Sequence, residues 1–464
     1  MRQITNHMPT AELQALDAAH HMHPFTTDKD LAKKGVRIIT RAEGVMLTDS
    51  EGHEILDGMA GLWCVSLGYG RQELADVAAR QMMELPFYNT FFQTSHVPAI
   101  ALAARIAELA PGDLNHVFFA GSGSESNDTN IRMVRHYWAL KGKPDKNVII
   151  ARKNGYHGST VGSGSLGGMA GMHAQGGLPI PNISHIDQPY WYMEGGEMTP
   201  EEFGLARARQ LEEKILELGV DRVAAFIGEP IQGAGGVIIP PSTYWPEIQR
   251  ICDEYGILLI ADEVITGFGR TGHWFGSQAM GIKPHIMTIA KGLSSGYAPI
   301  GGSIVCDEVA NTIGADEFNH GYTYSGHPVA AAVALENLRI LEEEKVIEHV
   351  RDVAHPYLAK RWHALGDHPL VGETSLIGLM GSMSLVPNKS GSKVFAAPEG
   401  TAGYTVREQC FANNVIMRHV GDRMIIAPPL VITPEQIDVM IDRATMALDK
   451  AYAQLKADGL MKAA

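Results

Sequence analysis

Lys291 has the most chemistry to offer, because of where it stands. It follows Ile286-Met287-Thr288-Ile289-Ala290 and precedes Gly292-Leu293-Ser294-Ser295-Gly296. Four of the five residues before it are apolar or small, the pattern of a strand buried on both faces. An amine at the end of such a strand is partly desolvated, which disfavours its charged form and lowers its pKa. A neutral lysine forms a Schiff base with an aldehyde. Taken alone, a lysine that snorkels to solvent is the simpler reading, so the weight falls on its neighbours.

Other strand-like runs end on equally pointed residues. Val117–Ala120 leads into Gly121-Ser122-Gly123-Ser124-Glu125-Ser126-Asn127-Asp128 ahead of a helix. Small residues there expose backbone N–H groups at a helix N-terminus, where the dipole also favours an anion. A plain capped turn has the same composition, but a phosphate cup is the functional reading. The dinucleotide fingerprint is absent, since the third glycine and the acidic ribose partner are missing, and there is no P-loop lysine. Val148–Ala151 leads to Asn154-Gly155-Tyr156-His157-Gly158, where a ring framed by glycines can stack on a planar ligand. Val223–Ile227 ends on Gly228-Glu229-Pro230, and Ile257–Ala261 on Asp262-Glu263. A carboxylate ending so apolar a strand needs a cation or donors to stay ionised. A protonated ring nitrogen serves: at ~4 Å and an effective dielectric of ~20 the pair is worth about 4 kcal/mol, enough to raise a pyridine pKa by roughly three. A phosphate cup, a stacking ring, a carboxylate for a ring nitrogen and a Schiff-base lysine together describe a site for pyridoxal 5′-phosphate.

These residues need a scaffold that presents strand ends side by side. From residue 98 the pattern alternates: helix Ala99–Leu109, strand Val117–Ala120, helix Thr129–Leu140, strand Val148–Ala151, helix Ala206–Leu218, strand Val223–Ile227, helix Trp245–Tyr255, strand Ile257–Ala261. That is an α/β order, a mostly parallel sheet with helices on both faces and ligands at the carboxyl ends of its strands. Gly158–Gly177 has a linker's composition, but it lies between strands and follows a functional turn, so it is expected to belong to the same domain. Before this region, 1–34 read as a polar arm and Val36–Thr40, Val45–Thr48 and Glu54–Asp57 as a small antiparallel meander. Gly61–Gly70 reads as a loop lining the core, and Gln72–Met83 as an amphipathic helix stopped by Pro86. After Pro328 come a long helix, Ala330–Glu344, helices near 349–365 and 435–455, and strands near 376–385, 415–418 and 423–427. The expected division is a large α/β domain over 66–326 and a smaller α+β domain from 1–65 with 327–464.

Composition narrows the classes. The chain has 464 residues, 45% apolar and 19% charged, as in an ordinary globular enzyme rather than a disordered chain. Its net charge of −14 (38 basic, 52 acidic residues) disfavours nucleic acid and anionic membrane as partners. There is no bilayer-length apolar run and no secretory h-region near Met1–His23. Cys64, Cys252, Cys306 and Cys410 are far apart and form no metal-spaced pair, which fits reduced thiols in the cytoplasm. His20-His21-Met22-His23 has no acidic or cysteine partner that completes a metal site in this reading, so no metal is expected.

An ordered series of segments carries a family resemblance from about Thr40 to the C-terminal helix. It includes Gly61-Leu62-Trp63-Cys64, Tyr88-Asn89-Thr90-Phe91-Phe92, Gly121–Asp128, Tyr156-His157-Gly158-Ser159-Thr160, and Gly228–Gly236. It continues through Asp262-Glu263-Val264, Ala290-Lys291-Gly292, Gly321–Pro328 and Ile416-Met417-Arg418. The chain resembles a class III, fold-type-I aminotransferase, specifically the ω-amino acid or amine:pyruvate branch. The resemblance implies a large domain with a seven-stranded, mostly parallel sheet, pyridoxal 5′-phosphate as cofactor, and ping-pong transfer of an amino group from an ω-amino acid, diamine or primary amine to pyruvate. It implies that Lys291 holds the cofactor's aldehyde, Asp262 its ring nitrogen, and Tyr156 and Val264 its two ring faces. Ser122, Gly123 and Ser124 would take the phosphate, with His157 and Glu229 in the same site. Thr323 would be supplied by the second subunit of a homodimer or a dimer of dimers. Trp63 and Phe91 would wall the substrate pocket, and Arg418 would clamp a carboxylate bidentately. Thr266, beside that wall, is where donor preference is expected to be tuned. Three rivals differ in chemistry: a decarboxylase or aminomutase of the same fold, a nicotinamide-dependent oxidoreductase using Gly121–Ser124, and an inactive scaffold. The missing fingerprint residues argue against the second, and intact Lys291 and Asp262 against the third.

Overall fold

A computed structural model describes residues 8–461 of the chain. Its centre is a seven-stranded sheet in the order Leu114–Ala120, Gly301–Cys306, Ile286–Ile289, Leu258–Asp262, Val223–Gly228, Val148–Arg152, Ile183–Ile186. Six strands run one way, and Gly301–Cys306 is antiparallel to both its neighbours. Every residue of Val148–Arg152, Val223–Gly228, Leu258–Asp262 and Ile286–Ile289 is buried. Both faces of these strands are covered by helices, which is why they read as unbroken apolar runs instead of alternating ones. Each fully buried Ile or Leu contributes roughly 1.5–3 kcal/mol to holding the sheet.

The helices start and stop where local chemistry directs. Pro200–Leu218 opens on a capping box, Thr199 with Glu202, and Pro434–Ala457 on another, Thr433 with Gln436, each with proline in the first turn. Tyr244–Tyr255 ends on Gly256 in the left-handed conformation. Two further sheets have four strands each. Ile39–Glu43, Met46–Asp49 and Glu54–Asp57 form the expected meander, the first strand three residues later than expected, and Val415–Ile416 joins it in parallel. Val371–Ile377, Met380–Leu385, Arg423–Ile426 and Arg418–Val420 form the other, antiparallel throughout.

Several elements, short helices such as Asp307–Ile313 among them, are not legible in the sequence, and three of them bear on the sheet or its surroundings. Gly301–Cys306 begins with two glycines and looks like a loop, yet a Cβ on Gly301 would lie 2.7 Å from the Ser122 carbonyl carbon and one on Gly302 2.8 Å from the Phe118 oxygen. The glycines let this strand run against the turn that follows Ala120. Ile183–Ile186 is a short edge strand with polar residues at its middle, and Thr401–Ala412 is a helix without a marked apolar face. The segment 158–177 is no linker: it holds the short helices Val161–Leu166 and Ala170–His173, packed on the sheet's Val148–Arg152 side.

The first seven residues of the N-terminal arm lie outside the described residues. The remainder forms helices Thr10–His20 and Asp28–Lys34. Here the reading of the histidines needs correcting. Asp17, one helical turn before His21, stands between His21 Nδ1 (3.1 Å) and His23 Nε2 (2.8 Å), so an acidic partner is present after all. The arrangement is a hydrogen-bonded helix end: the histidines hold the Asp17 carboxyl below the usual carboxylate range, with the His23 hydrogen bond as the main cause. Among the described residues no helix is long and apolar enough to cross a membrane.

Candidate active site

Because five parallel strands end at one edge, the residues that follow them share one cavity of about 370 Å³. Ser122, Gly123, Ser124, Tyr156, His157, Glu229, Asp262, Val264 and Lys291 all line it. At one end the helix Gly123–Leu140 begins. Ser122 is its N-cap and its hydroxyl accepts from the Glu125 amide (3.2 Å), while the Glu125 carboxylate accepts from the Gly121 amide (2.6 Å). The amides of Gly123 and Ser124, in the first helical turn, have no intrahelical acceptor and face an anion-favouring dipole. Gly123 is required by proximity, since a Cβ there would lie 2.8 Å from Val264 Cγ2.

At the other end stands Asp262. Its Oδ2 accepts from Asn127 Nδ2 (2.8 Å) and pairs with His157 Nδ1 (2.7 Å), and its Oδ1 accepts from the Val264 amide (3.1 Å). Glu229 is buried, and both of its oxygens are committed to backbone, Oε1 to the Tyr156 amide (3.0 Å) and Oε2 to the Gly233 amide (2.8 Å). Burial raises its carboxyl pKa, opposed first by His157. Glu229 therefore builds the turn that carries Tyr156. The Tyr156 hydroxyl shares a hydrogen bond with Ser159 Oγ (2.9 Å).

Lys291 sits just past its strand, in a short turn over Lys291–Leu293, at φ 44°. A non-glycine residue held there stores strain of the kind found at functional sites. Asn337, on the helix Pro328–Glu343, fixes the turn by donating to the carbonyls of Gly292 and Leu293 (2.9 Å each). Burial lowers the Lys291 amine below the ordinary lysine value; Cys64, Asp262 and Glu229 oppose the shift, and Arg418 adds to it.

Four expected site residues do not line this cavity. Trp63 is buried next to Cys64, which does line it, and adopts φ 66°. Phe91 packs on Gly321, where a Cβ would lie 2.7 Å from the ring, in a separate cavity with Ser325. Thr323 lies in that same Gly321–Ser325 segment and is exposed. Arg418, on the Arg418–Val420 strand, is half-buried, and its guanidinium is desolvated and lies in the field of Tyr156. Thr266 corrects an expectation: it is fully buried, its hydroxyl donates to Glu263 Oε2 (2.5 Å), and Ile265 takes the wall position instead. Thr266 Oγ1 follows a carboxylate that also accepts from the Gly276 and Ser277 amides, so its role is to brace Glu263. Asn127 and Asn337 were passed over. Both are polar residues at apolar helix positions, and that was the signal available.

The donor set fits pyridoxal 5′-phosphate: amides for an anion at one end, a carboxylate at the other, an aromatic ring and a valine between them, and one amine. A family model for class-III aminotransferases matches residues 30–448. The chain is 61% identical to a putrescine–pyruvate aminotransferase of Pseudomonas aeruginosa over 98% of its own length and 99% of the relative's. It is 41% identical to a diaminobutyrate–2-oxoglutarate transaminase of Halomonas elongata, covering 92% and 93%. Among solved structures it superposes on an (S)-enantioselective ω-transaminase from Thermomicrobium roseum with a TM-score of 0.92 at 45% identity, covering 95% and 98% of the two chains. It superposes on the Pseudomonas jessenii ω-transaminase in complex with PMP with a TM-score of 0.93 at 41% identity, covering 96% and 99%. The chain, an enzyme dependent on pyridoxal 5′-phosphate, belongs to the class-III aminotransferase family.

Proposed function

We propose that the enzyme is an ω-transaminase that moves the amino group of a primary amine, with a diamine such as putrescine as the leading donor, to pyruvate, giving alanine. The observation that carries the reaction is Lys291, a desolvated amine on a strained turn facing Asp262 across one cavity. The 61% identity to a putrescine–pyruvate aminotransferase supports the choice of donor and acceptor.

The amides of Gly123 and Ser124, with Ser122, would hold the phosphate, Tyr156 and Val264 the two ring faces, and Asp262 the ring nitrogen; His157 holds Asp262, and Glu229 holds the Tyr156 turn. When bound, the cofactor supplies the electron sink for the charge left as the donor's carbon loses its proton. Lys291 does the proton work. Its lowered pKa keeps more of the amine neutral near pH 7, so it can take a proton from the donor carbon and return one. Asp262, buried from water, would keep the cofactor's ring nitrogen protonated through a charge pair. Arg418 binds the carboxylate of pyruvate and Trp63 shapes the space beside it, while Phe91, packed on the Gly321–Ser325 segment, walls the pocket from the neighbouring subunit.

The same reading makes the working unit a homodimer or a dimer of dimers, with Thr323 completing the neighbouring subunit's site. Leu62, Tyr88, Phe92, Val97, Ile100 and Tyr324 are large apolar side chains left exposed on this single chain, which supports burial against a second copy. The central sheet within 114–306 and the two smaller sheets outside it support the division into 66–326 and 1–65 with 327–464. Residence in the cytoplasm fits four unpaired cysteines.

The test is a visible absorption spectrum of the loaded enzyme as amines and then pyruvate are added, with alanine measured alongside. A band that putrescine bleaches and pyruvate restores, with alanine formed, is the expected result. Carbon dioxide released from an added amino acid, with no alanine formed, would replace transamination by decarboxylation.

A further inference from the structure

Asp262 is held by more than its own strand. Behind it lie Asn127, Asn130, Thr288 and Ser303, each with no exposure to solvent. Asn127 and Asn130 share one face of the helix Gly123–Leu140 at i, i+3 spacing, and Thr288 and Ser303 come from two adjacent sheet strands. Their hydrogen bonds form a directional chain. Ser303 Oγ donates to Asn130 Oδ1 (2.6 Å), Asn130 Nδ2 to Thr288 Oγ1 (2.8 Å), Thr288 Oγ1 to Asn127 Oδ1 (2.8 Å), and Asn127 Nδ2 to Asp262 Oδ2 (2.8 Å). Asn127 Nδ2 also donates to the His157 carbonyl (2.7 Å), so both ends of this amide are engaged.

Only one orientation of the Asn127 amide satisfies these partners. A flipped amide would set its oxygen against the Asp262 carboxylate and its N–H groups against the Thr288 hydroxyl. With Asn127 and His157 Nδ1 both on Oδ2, and one backbone amide on Oδ1, the oxygen with capacity to spare is Oδ1. Four polar side chains at the helix–sheet contact would cost stability relative to apolar ones unless every group were paired, and here the chain pairs them.

We propose that Asn127 is a positioning residue for Asp262: it occupies Oδ2 and leaves Oδ1 for the ring nitrogen, and Thr288, Asn130 and Ser303 fix the amide orientation that makes this possible. The inference rests on reading Asp262 as the partner of that nitrogen.

The test compares Asp262→Asn, Asn127→Leu and the isosteric Thr288→Val as cofactor-loaded enzymes. The readouts are the pH midpoint of the cofactor's visible band, the cofactor's Kd, and kcat against KM. Loss of one hydrogen bond to a buried charge predicts a fall in kcat of about ten- to a hundredfold for Asn127→Leu, at little change in the KM for pyruvate. The visible midpoint moves by about one pH unit. Thr288→Val moves both in the same direction by less, and it carries the test if Asn127→Leu does not fold. Variants that keep the wild-type midpoint and kcat, whatever their melting temperature, would overturn the inference and leave the four residues as structural glue. Asp262→Asn separates the two levels: full turnover there refutes the reading of the site itself, whereas an inactive Asp262→Asn beside unimpaired Asn127→Leu refutes only the positioning role.

Discussion

Gly123→Ala perturbs the contact between the first turn of the helix Gly123–Leu140, the proposed anion cup, and Val264, the residue proposed to flank the cofactor ring. The added Cβ would lie 2.8 Å from Val264 Cγ2 and 3.2 Å from Cγ1. Ordinary carbon contacts lie at about 3.5–4.0 Å, so one of the two elements must move by the better part of an ångström. Valine cannot yield by changing rotamer freely, because its two γ-carbons leave one strongly preferred χ1. The cup therefore shifts. Overpacking of this kind costs about 1–3 kcal/mol. If the strain falls on the loaded state, the cofactor Kd rises by about tenfold to a hundredfold. Gly123 is the first helical residue and needs no glycine dihedral, so alanine there adds no backbone strain; a helix-propensity gain of at most about 1 kcal/mol offsets only part of the clash, and the apo enzyme should melt somewhat earlier. The assay is a double-mutant cycle on cofactor Kd, by absorbance or fluorescence titration, with Val264→Ala as the second change. Val264→Ala removes the atoms that clash, so the double variant should bind more tightly than Gly123→Ala alone. Losses that simply add would show that the two residues do not press on one another and would refute the steric argument.

Other perturbations test other parts. Gly301→Ala places a Cβ 2.7 Å from a backbone carbon that has no side chain to yield, so it should lower both cofactor affinity and melting temperature, and a variant as stable as wild type would contradict the packing. Lys291→Ala should abolish turnover in an alanine-formation assay. Lys291→Met should stabilise the apo enzyme, because a lowered folded pKa means that the unfolded state binds more protons between that pKa and 10.5, and wild-type stability rises with pH through this window. The gap in melting temperature between Lys291→Met and wild type should thus be widest at neutral pH and close toward pH 10.5; a pH-independent gap would remove burial of the amine as its cause. Arg418→Ala should raise the KM for pyruvate by about tenfold or more, as expected for losing a bidentate charge-assisted contact, while leaving the KM for a carboxylate-free amine nearly unchanged. Equal losses on both substrates would take Arg418 out of that role.

The strand-end residues were legible because burial on both faces imposes long apolar runs, and a polar residue closing such a run stands out. Asp262, Glu229 and Lys291 were found in this way, and the structure brings all three to one cavity. Helix starts were read late: Gly123–Leu140 begins six residues before the expected Thr129, because its first turn is made of the small residues that also form the cup. Gly301–Cys306 was hidden for a related reason, since glycines chosen for close approach look like loop residues. Asp17 was missed because helical spacing, not adjacency, brings it to His21. Thr266 was misplaced because the chain turns sharply after Asp262, and no periodicity there tells an inward residue from one at the wall. Phe91 and Thr323 share a segment contact away from Lys291, which within-chain spacing cannot reveal.

The antiparallel strand Gly301–Cys306 also has a bearing on biosynthesis. Among the described residues it is the only sheet partner of Leu114–Ala120, and it lies between that strand and Ile286–Ile289. The cup after Ala120 therefore has no place in the sheet until residue 306 has been made. At about 5–20 residues per second, the interval between those two points of translation is about 10–40 s. During that time the nascent chain carries the Gly121–Ser124 turn on an unpaired strand, and such long-range pairing is intrinsically slow to close. Cofactor capture is thus a late event in the life of this polypeptide, open only once the last strand of the sheet has threaded between two that were made before it.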